Sequence, residues 1–240
     1  MRKLFDLESP FIQGLNKMAD LMILNLLCII FCIPIITVGA TFTALHFVVL
    51  KMVRNEETYI IKTFFRSFKE NFVQSTLLWI IKVFVFVFII VDIRIADAIP
   101  WMKMGLIAVG VLLYLLGLHI FPLQSRFVNK IPATIKNSVL LGLMVLPKTI
   151  LMGLILILPL AFWYVSFVIM GSGMITPILV LFGFSFPAFL CALLYNKTFK
   201  KIEPSEENNG DEWTVDMTEA EGVLVEEKET DNIGTLESDE

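Results

Sequence analysis

Residues 149–195 read TILMGLILILPLAFWYVSFVIMGSGMITPILVLFGFSFPAFLCALLY, 47 consecutive positions without a charged side chain. About 20 apolar residues, rising about 1.5 Å each, cross the hydrocarbon core of a bilayer. The run is therefore too long for one crossing and long enough for two. Gly171-Ser172-Gly173 divides it, and Gly and Ser are turn residues. The reading is two transmembrane helices, 149–170 and 174–195, joined by a tight turn.

Working outward, three further runs have the same character. Residues 104–123 and 75–93 each suit one span, the latter interrupted only by Lys82 before Asp92. Residues 21–50 are thirty positions without a charge and contain Pro34 and Gly39, either of which can interrupt a helix. One kinked span over about 21–45 is the favoured reading, and a pair of half-helices that dips in and returns is the alternative. The apolar run starts late, after Asp6, Glu8 and Asp20, and lacks a small-residue cleavage site, so a cleavable signal peptide is not expected. The fold class is thus all-α, a polytopic bundle of about five spans.

Composition agrees. Of 240 residues, 57% are apolar and 18% charged, with a mean hydropathy of +0.79. Soluble domains hold about 45–50% apolar and about 25% charged residues, which argues against an ordinary soluble enzyme or a nucleic-acid binder. The net charge of −4 is a cancellation. Residues 203–240 hold 15 of the 23 acidic residues and one base, and carry −14; residues 1–202 hold 18 bases and 8 acids, and carry +10. The division is a membrane domain, 1–202, and an acidic tail, 203–240. The tail has too few apolar residues to fold alone and is expected to be disordered.

Lys and Arg near span ends set orientation. The segments 51–72, 124–148 and 197–201 hold twelve of them, against five on the other side of a five-span layout. The rule predicts cytoplasmic loops and a cytoplasmic tail. The N-terminus lies outside unless residues 21–50 turn back. Within 58–72, Ile61, Phe64, Phe65, Phe68 and Phe72 form one helical stripe opposed by Lys62, Arg66 and Lys69. Such a cytoplasmic helix either lies in the membrane interface or packs its phenylalanines on the protein's own spans. A weaker amphipathic stretch covers about 133–146. The order surface helix, span, loop, span thus occurs twice, over 58–123 and 130–195, read as a shared hairpin layout rather than a duplication.

Two polar groups are candidates for function inside the membrane. Lys82 costs roughly 2.5–3.5 kcal/mol at a span centre, offset by fourteen Leu, Ile, Val and Phe in 75–93 at roughly −0.3 to −0.6 kcal/mol each. It either marks a site or snorkels to the interface. His119 lies in the third span and could face Lys82 or a polar cavity; a hydrogen-bonded bundle histidine is the plainer reading. Cys28, Cys32 and Cys191 lie in apolar segments with no accompanying ligand pattern, so neither a metal site nor a disulfide framework is expected. No phosphate-binding glycine loop, nucleophile elbow or zinc-binding helix motif occurs. Neither catalysis nor a cofactor is expected. The small pairs Ala40/Ala44 and Ala188/Ala192 permit close helix approach.

The N-terminal third carries a specific motif set: Asn25-Leu26-Leu27, then Pro34-Ile35-Ile36-Thr37-Val38-Gly39-Ala40-Thr41, and Phe64-Phe65-Arg66-Ser67-Phe68-Lys69-Glu70-Asn71-Phe72. It resembles the YesL family of bacterial integral membrane proteins, with Asn25, Pro34, Thr37, Gly39, Phe68, Asn71 and Phe72 as motif positions. The chain departs from that pattern at Phe42, where a small hydroxyl residue is expected, and at His46, where an aromatic is usual. Lys82 and the acidic tail also lie outside it. The resemblance implies no biochemical activity. It implies an association with carbohydrate uptake, as an accessory protein contacting a sugar ABC-transporter permease; a small-solute transporter in its own right is the alternative.

Overall fold

Proline lacks an N–H and disfavours helix at the residue before it, and the first long apolar run breaks at Pro34. In the computed structural model, which describes residues 10–56, 59–96, 99–127, 129–168 and 176–203, helix α1 spans Pro10–Cys32. A 3-10 turn, Ile35–Thr37, follows, and then α2, Val38–Val53. The Thr37 and Thr41 hydroxyls donate to the Phe31 carbonyl at 2.5 and 3.2 Å, satisfying an exposed end of α1. Helix α2 closes with Asn55 in the left-handed region (φ 55°), its N–H bonded to the Met52 carbonyl while the Glu56 N–H reaches Lys51. That is a Schellman ending. The Asn55 side chain then accepts a hydrogen bond from Lys17 Nζ at 2.7 Å. Residue 17 of α1 and residue 55 beyond α2 therefore lie at one end of the bundle. The first apolar run is not one kinked span: it is two antiparallel helices, and α1 begins eleven residues before the charge-free stretch.

Helix α3, Ile60–Ile95, is a continuous rod of 36 residues. At about 1.5 Å per residue it is about 54 Å long, well beyond a hydrocarbon core of about 30 Å. The amphipathic stretch and the span at 75–93 are thus one helix, and the phenylalanine stripe turns inward. Phe64 is fully buried, and Phe31 of α1 meets the rings of Phe64, Phe65 and Phe68 at 5.0–5.7 Å between centroids. Packing on the protein's own helices replaces an interfacial role for most of the stripe.

Helix α4, Pro100–Leu116, passes through a 3-10 turn, Gly117–His119, into α5, Ile120–Arg126. Helix α6, Ile131–Met144, leads into α7, Leu146–Val168. Helices α8, Thr176–Phe182, and α9, Ser185–Ile202, meet at 49° across Gly183-Phe184. The span expected at 174–195 is therefore broken, and Gly171-Ser172-Gly173 lies outside the described residues. The two supposed hairpin units also differ: surface helix and first span are one unbroken rod in the first, and are divided at Val145 in the second. Among the described residues, five helices are long and apolar enough to cross a membrane, or six when the bent pair counts as one more. No strand occurs among the described residues.

The ends of α2, α5 and α9 converge. Glu203 bonds Arg54 at 2.7 and 3.0 Å and Arg126 at 2.8 Å. Lys17 joins this end through α1, leaving Arg94 and Lys103 as the described basic residues at the other. Glu203, the first residue of the acidic tail, belongs to the folded body; 204–240 lie outside the described residues. Away from this end the bundle is apolar outside: Phe84, Phe88, Trp101, Met104 and Phe167 are each more than 60% exposed. A face of that extent demands an apolar surrounding, and defines a polytopic helical membrane protein.

Candidate functional site

The small-residue pairs are spent inside the bundle. Ala40, Ala44, Ala188 and Ala192 are all buried. At Gly39 an added Cβ would lie 2.3 Å from the Ser75 carbonyl oxygen and 2.6 Å from Trp79 Cβ. Glycine there lets α2 and α3 touch at the backbone. A Thr43–Ser75 hydroxyl bond at 2.8 Å closes the same contact.

The other motif positions mend interruptions. Buried Asn25 donates from Nδ2 to the Val180 carbonyl (2.8 Å), while its Oδ1 accepts from the Phe184 and Ser185 amides at 2.8 and 3.0 Å. One side chain of α1 thus satisfies both sides of the α8–α9 break, which apolar surroundings would otherwise penalise. Pro34 opens the first 3-10 turn, and its carbonyl accepts the Thr37 amide at 3.0 Å. Asn71 accepts from Gln124 Nε2 at 3.2 Å, joining α3 to α5. Phe72 packs on Phe68 at 5.5 Å. These seven residues shape the scaffold.

The second and third interruptions, at Gly117–His119 and Gly183-Phe184, border a cavity of about 600 Å³. Trp79 and Lys82 of α3, Phe121 of α5, Pro159 and Trp163 of α7 and Phe184 at the α8–α9 break are on its wall, and α1, α2, α4 and α9 also reach it. The Trp79 indole N–H donates to the Ile35 carbonyl at 2.9 Å, tying the first 3-10 turn to the same wall. Neither α4 nor α8 buries any described residue fully.

Lys82 does not snorkel outward. Its ammonium points to the second interruption, 3.3 Å from the Gly117 carbonyl oxygen and 5.4 Å from the Phe121 ring centroid. No carboxylate is among the described lining residues. His119 stands behind the wall, fully buried, with Nε2 3.0 Å from Thr149 Oγ1. That hydroxyl also lies 3.1 Å from the Gly142 carbonyl and 3.2 Å from that of Val145. The hydroxyl and His119 Nε2 share one hydrogen bond. His119 therefore stitches the 3-10 turn to the α6–α7 joint. The two histidines part company: His46 lines the cavity and meets the Tyr195 hydroxyl at 3.2 Å.

Phe42, His46 and Lys82 line this one cavity. Sequence periodicity signals Lys82 alone of the three; Phe42 stacks on Phe121 across the chain at 6.1 Å, a meeting no local pattern announces. Cys28 and Cys191 are buried, and no group of three metal-ligand side chains occurs among the described residues.

A polytopic bundle with a ligand-sized cavity is the class these features define. Residues 21–93 match a family model described as a protein of unknown function, DUF624. The matched segment covers the second half of α1, all of α2 and nearly all of α3, and so includes Asn25, Gly39, Trp79 and Lys82. No curated protein and no solved structure matches the chain.

Proposed function

We propose that the chain is a multi-pass protein of the bacterial plasma membrane, its Arg54–Arg126–Glu203 end cytoplasmic, that takes a small solute into the cavity beside Lys82. The carrying observation is the cavity itself, about 600 Å³ and bordered by two broken helices, α4–α5 and α8–α9, and by the α1–α2 hairpin. Small-molecule sites span roughly 300–1,000 Å³, and broken helices at mid-depth characterise transporter sites. The concentration of Lys and Arg at one end supports the orientation. The reading is of a carrier rather than an enzyme: His46 and Trp79, two polar side chains on the wall, are already bonded within the protein.

Proteoliposome uptake of labelled sugars and organic anions tests this. At least one solute should enter above protein-free vesicles, and Leu156→Trp, which fills the cavity, should abolish its entry. Uptake of none, or uptake indifferent to Leu156→Trp, overturns the reading.

One observation favours a second role, as an accessory protein beside a sugar ABC-transporter permease. Helix α4 is apolar, buries none of its residues fully and has open space around Gly105, so a partner helix could pack there. Mild-detergent purification from the native membrane should then retain a permease, and Gly105→Trp should release it; recovery without one counts against this role.

A further inference from the structure

The wall of the cavity prescribes the chemistry of its occupant. Lys82 supplies an ammonium with three N–H donors, and one carbonyl, that of Gly117, lies within hydrogen-bonding reach. The Phe121 face gives a weak electrostatic contact. No described lining residue offers a countercharge. A buried cation with donors to spare calls for an anion. Beyond Lys82 the wall is chiefly Leu, Phe, Trp, Ile, Val and Pro. A sugar or a nucleotide would bring many hydroxyls or phosphates, each losing water without gaining a partner. A wholly apolar molecule would leave Lys82 unmatched. The one arrangement that satisfies both parts is a single anionic head on an extended apolar body.

We infer that the cavity binds a single-chain anionic amphiphile, an acyl chain ending in a carboxylate or phosphate, with its head on Lys82 and its chain against Phe42, Leu156, Leu160 and Trp163. This deepens the solute-binding reading and rests on it. The volume suits one chain, and the aromatic side chains of the wall present apolar faces to it.

The full chain in phosphatidylcholine nanodiscs provides the test, with protein-free nanodiscs subtracted. Labelled palmitate, lysophosphatidate and hexadecanol are the probes. At least one anion should saturate at one per chain and bind ten-fold or more tighter than hexadecanol; which of the two does so separates a free fatty acid from a lysolipid source. Lys82→Met should erase the preference while retaining hexadecanol binding, and Lys82→Arg should keep it. Leu156→Trp, with Lys82 intact, should remove binding of all three. Equal binding of anions and alcohol, or a preference that survives Lys82→Met, overturns the anion assignment and leaves the cavity reading standing. Saturable binding of none of the probes overturns the amphiphile class, while the fate of the wider reading is decided separately by the uptake assay and its Leu156→Trp control.

Discussion

Asn25 shows how much one side chain can carry in an apolar setting. Three backbone groups at the α8–α9 break depend on it, and each left unpaired costs roughly 1–3 kcal/mol. Asn25→Ala should therefore lower the thermal midpoint sharply in nanodiscs. Asn25→Asp keeps the acceptor for Phe184 and Ser185, loses the donor to Val180 and adds a charge, so it should not restore stability. An Asn25→Ala midpoint unchanged from wild type would show that the break is satisfied in some other way. Lys82 is the opposite case, a group whose removal should leave the scaffold standing. It makes one long hydrogen bond, and its charge is costly inside the membrane. Lys82→Met should therefore hold or raise the midpoint even as it alters ligand preference.

Among the elements, α2 and α3 form the closest pair, and Gly39 sets their separation. A Cβ there would collide with the backbone of α3, and overpacking of this kind costs roughly 1–3 kcal/mol. Gly39→Ala should lower the thermal midpoint, and Gly39→Val more so, while Gly105→Ala, with open space around it, should be neutral. Equal effects at the two glycines would contradict the packing. The length of α3 has a simple origin. No proline or glycine interrupts residues 60–95, so nothing ends the helix between its amphipathic and apolar halves. In α4–α5 the break at Gly117 is held by tertiary contacts, with Ser138 bonded to the Leu116 carbonyl at 2.7 Å and Lys82 reaching that of Gly117.

For the whole molecule, the antiparallel α1–α2 hairpin brings both its ends to one face. In a background lacking Cys28, Cys32 and Cys191, cysteines placed at Lys17 and Asn55 should react with an impermeant maleimide from the same side of sealed vesicles. Labelling from opposite sides would restore the single kinked span. The Glu203 clamp also gives that face a pH response. Burial works to raise the Glu203 pKa, but hydrogen bonds from Arg54 and Arg126 outweigh it and hold the carboxyl below its usual 4.5. A depressed carboxyl stabilises the fold fully above its unfolded value, and the gain is lost as pH falls through the folded one. Stability should therefore decline from about pH 4.5 downward, and Glu203→Gln should lower the midpoint at neutral pH and flatten that decline. An acid profile identical in wild type and variant would remove the clamp from the account.

The apolar runs and the absence of helix breakers in 60–95 determine that the chain is a helical membrane protein, and the basic residues mark one end of it. Those properties are local: they follow from hydrocarbon length, helical rise and charge placement. Lys82 is legible for the same reason, a charge among fourteen apolar neighbours. What the fold alone decides is where interrupted segments meet. Pro34 permits either a kink or a reversal, and the Phe31–Thr37–Thr41 bonds and the Lys17–Asn55 contact select the reversal. Asn25 reads as an ordinary polar residue until α9 lies beside α1, more than 150 positions away in the chain. Phe42, His46 and Trp163 become walls of one cavity because five or more helices converge there, and the anion-seeking character of Lys82 comes from neighbours that sequence distance conceals.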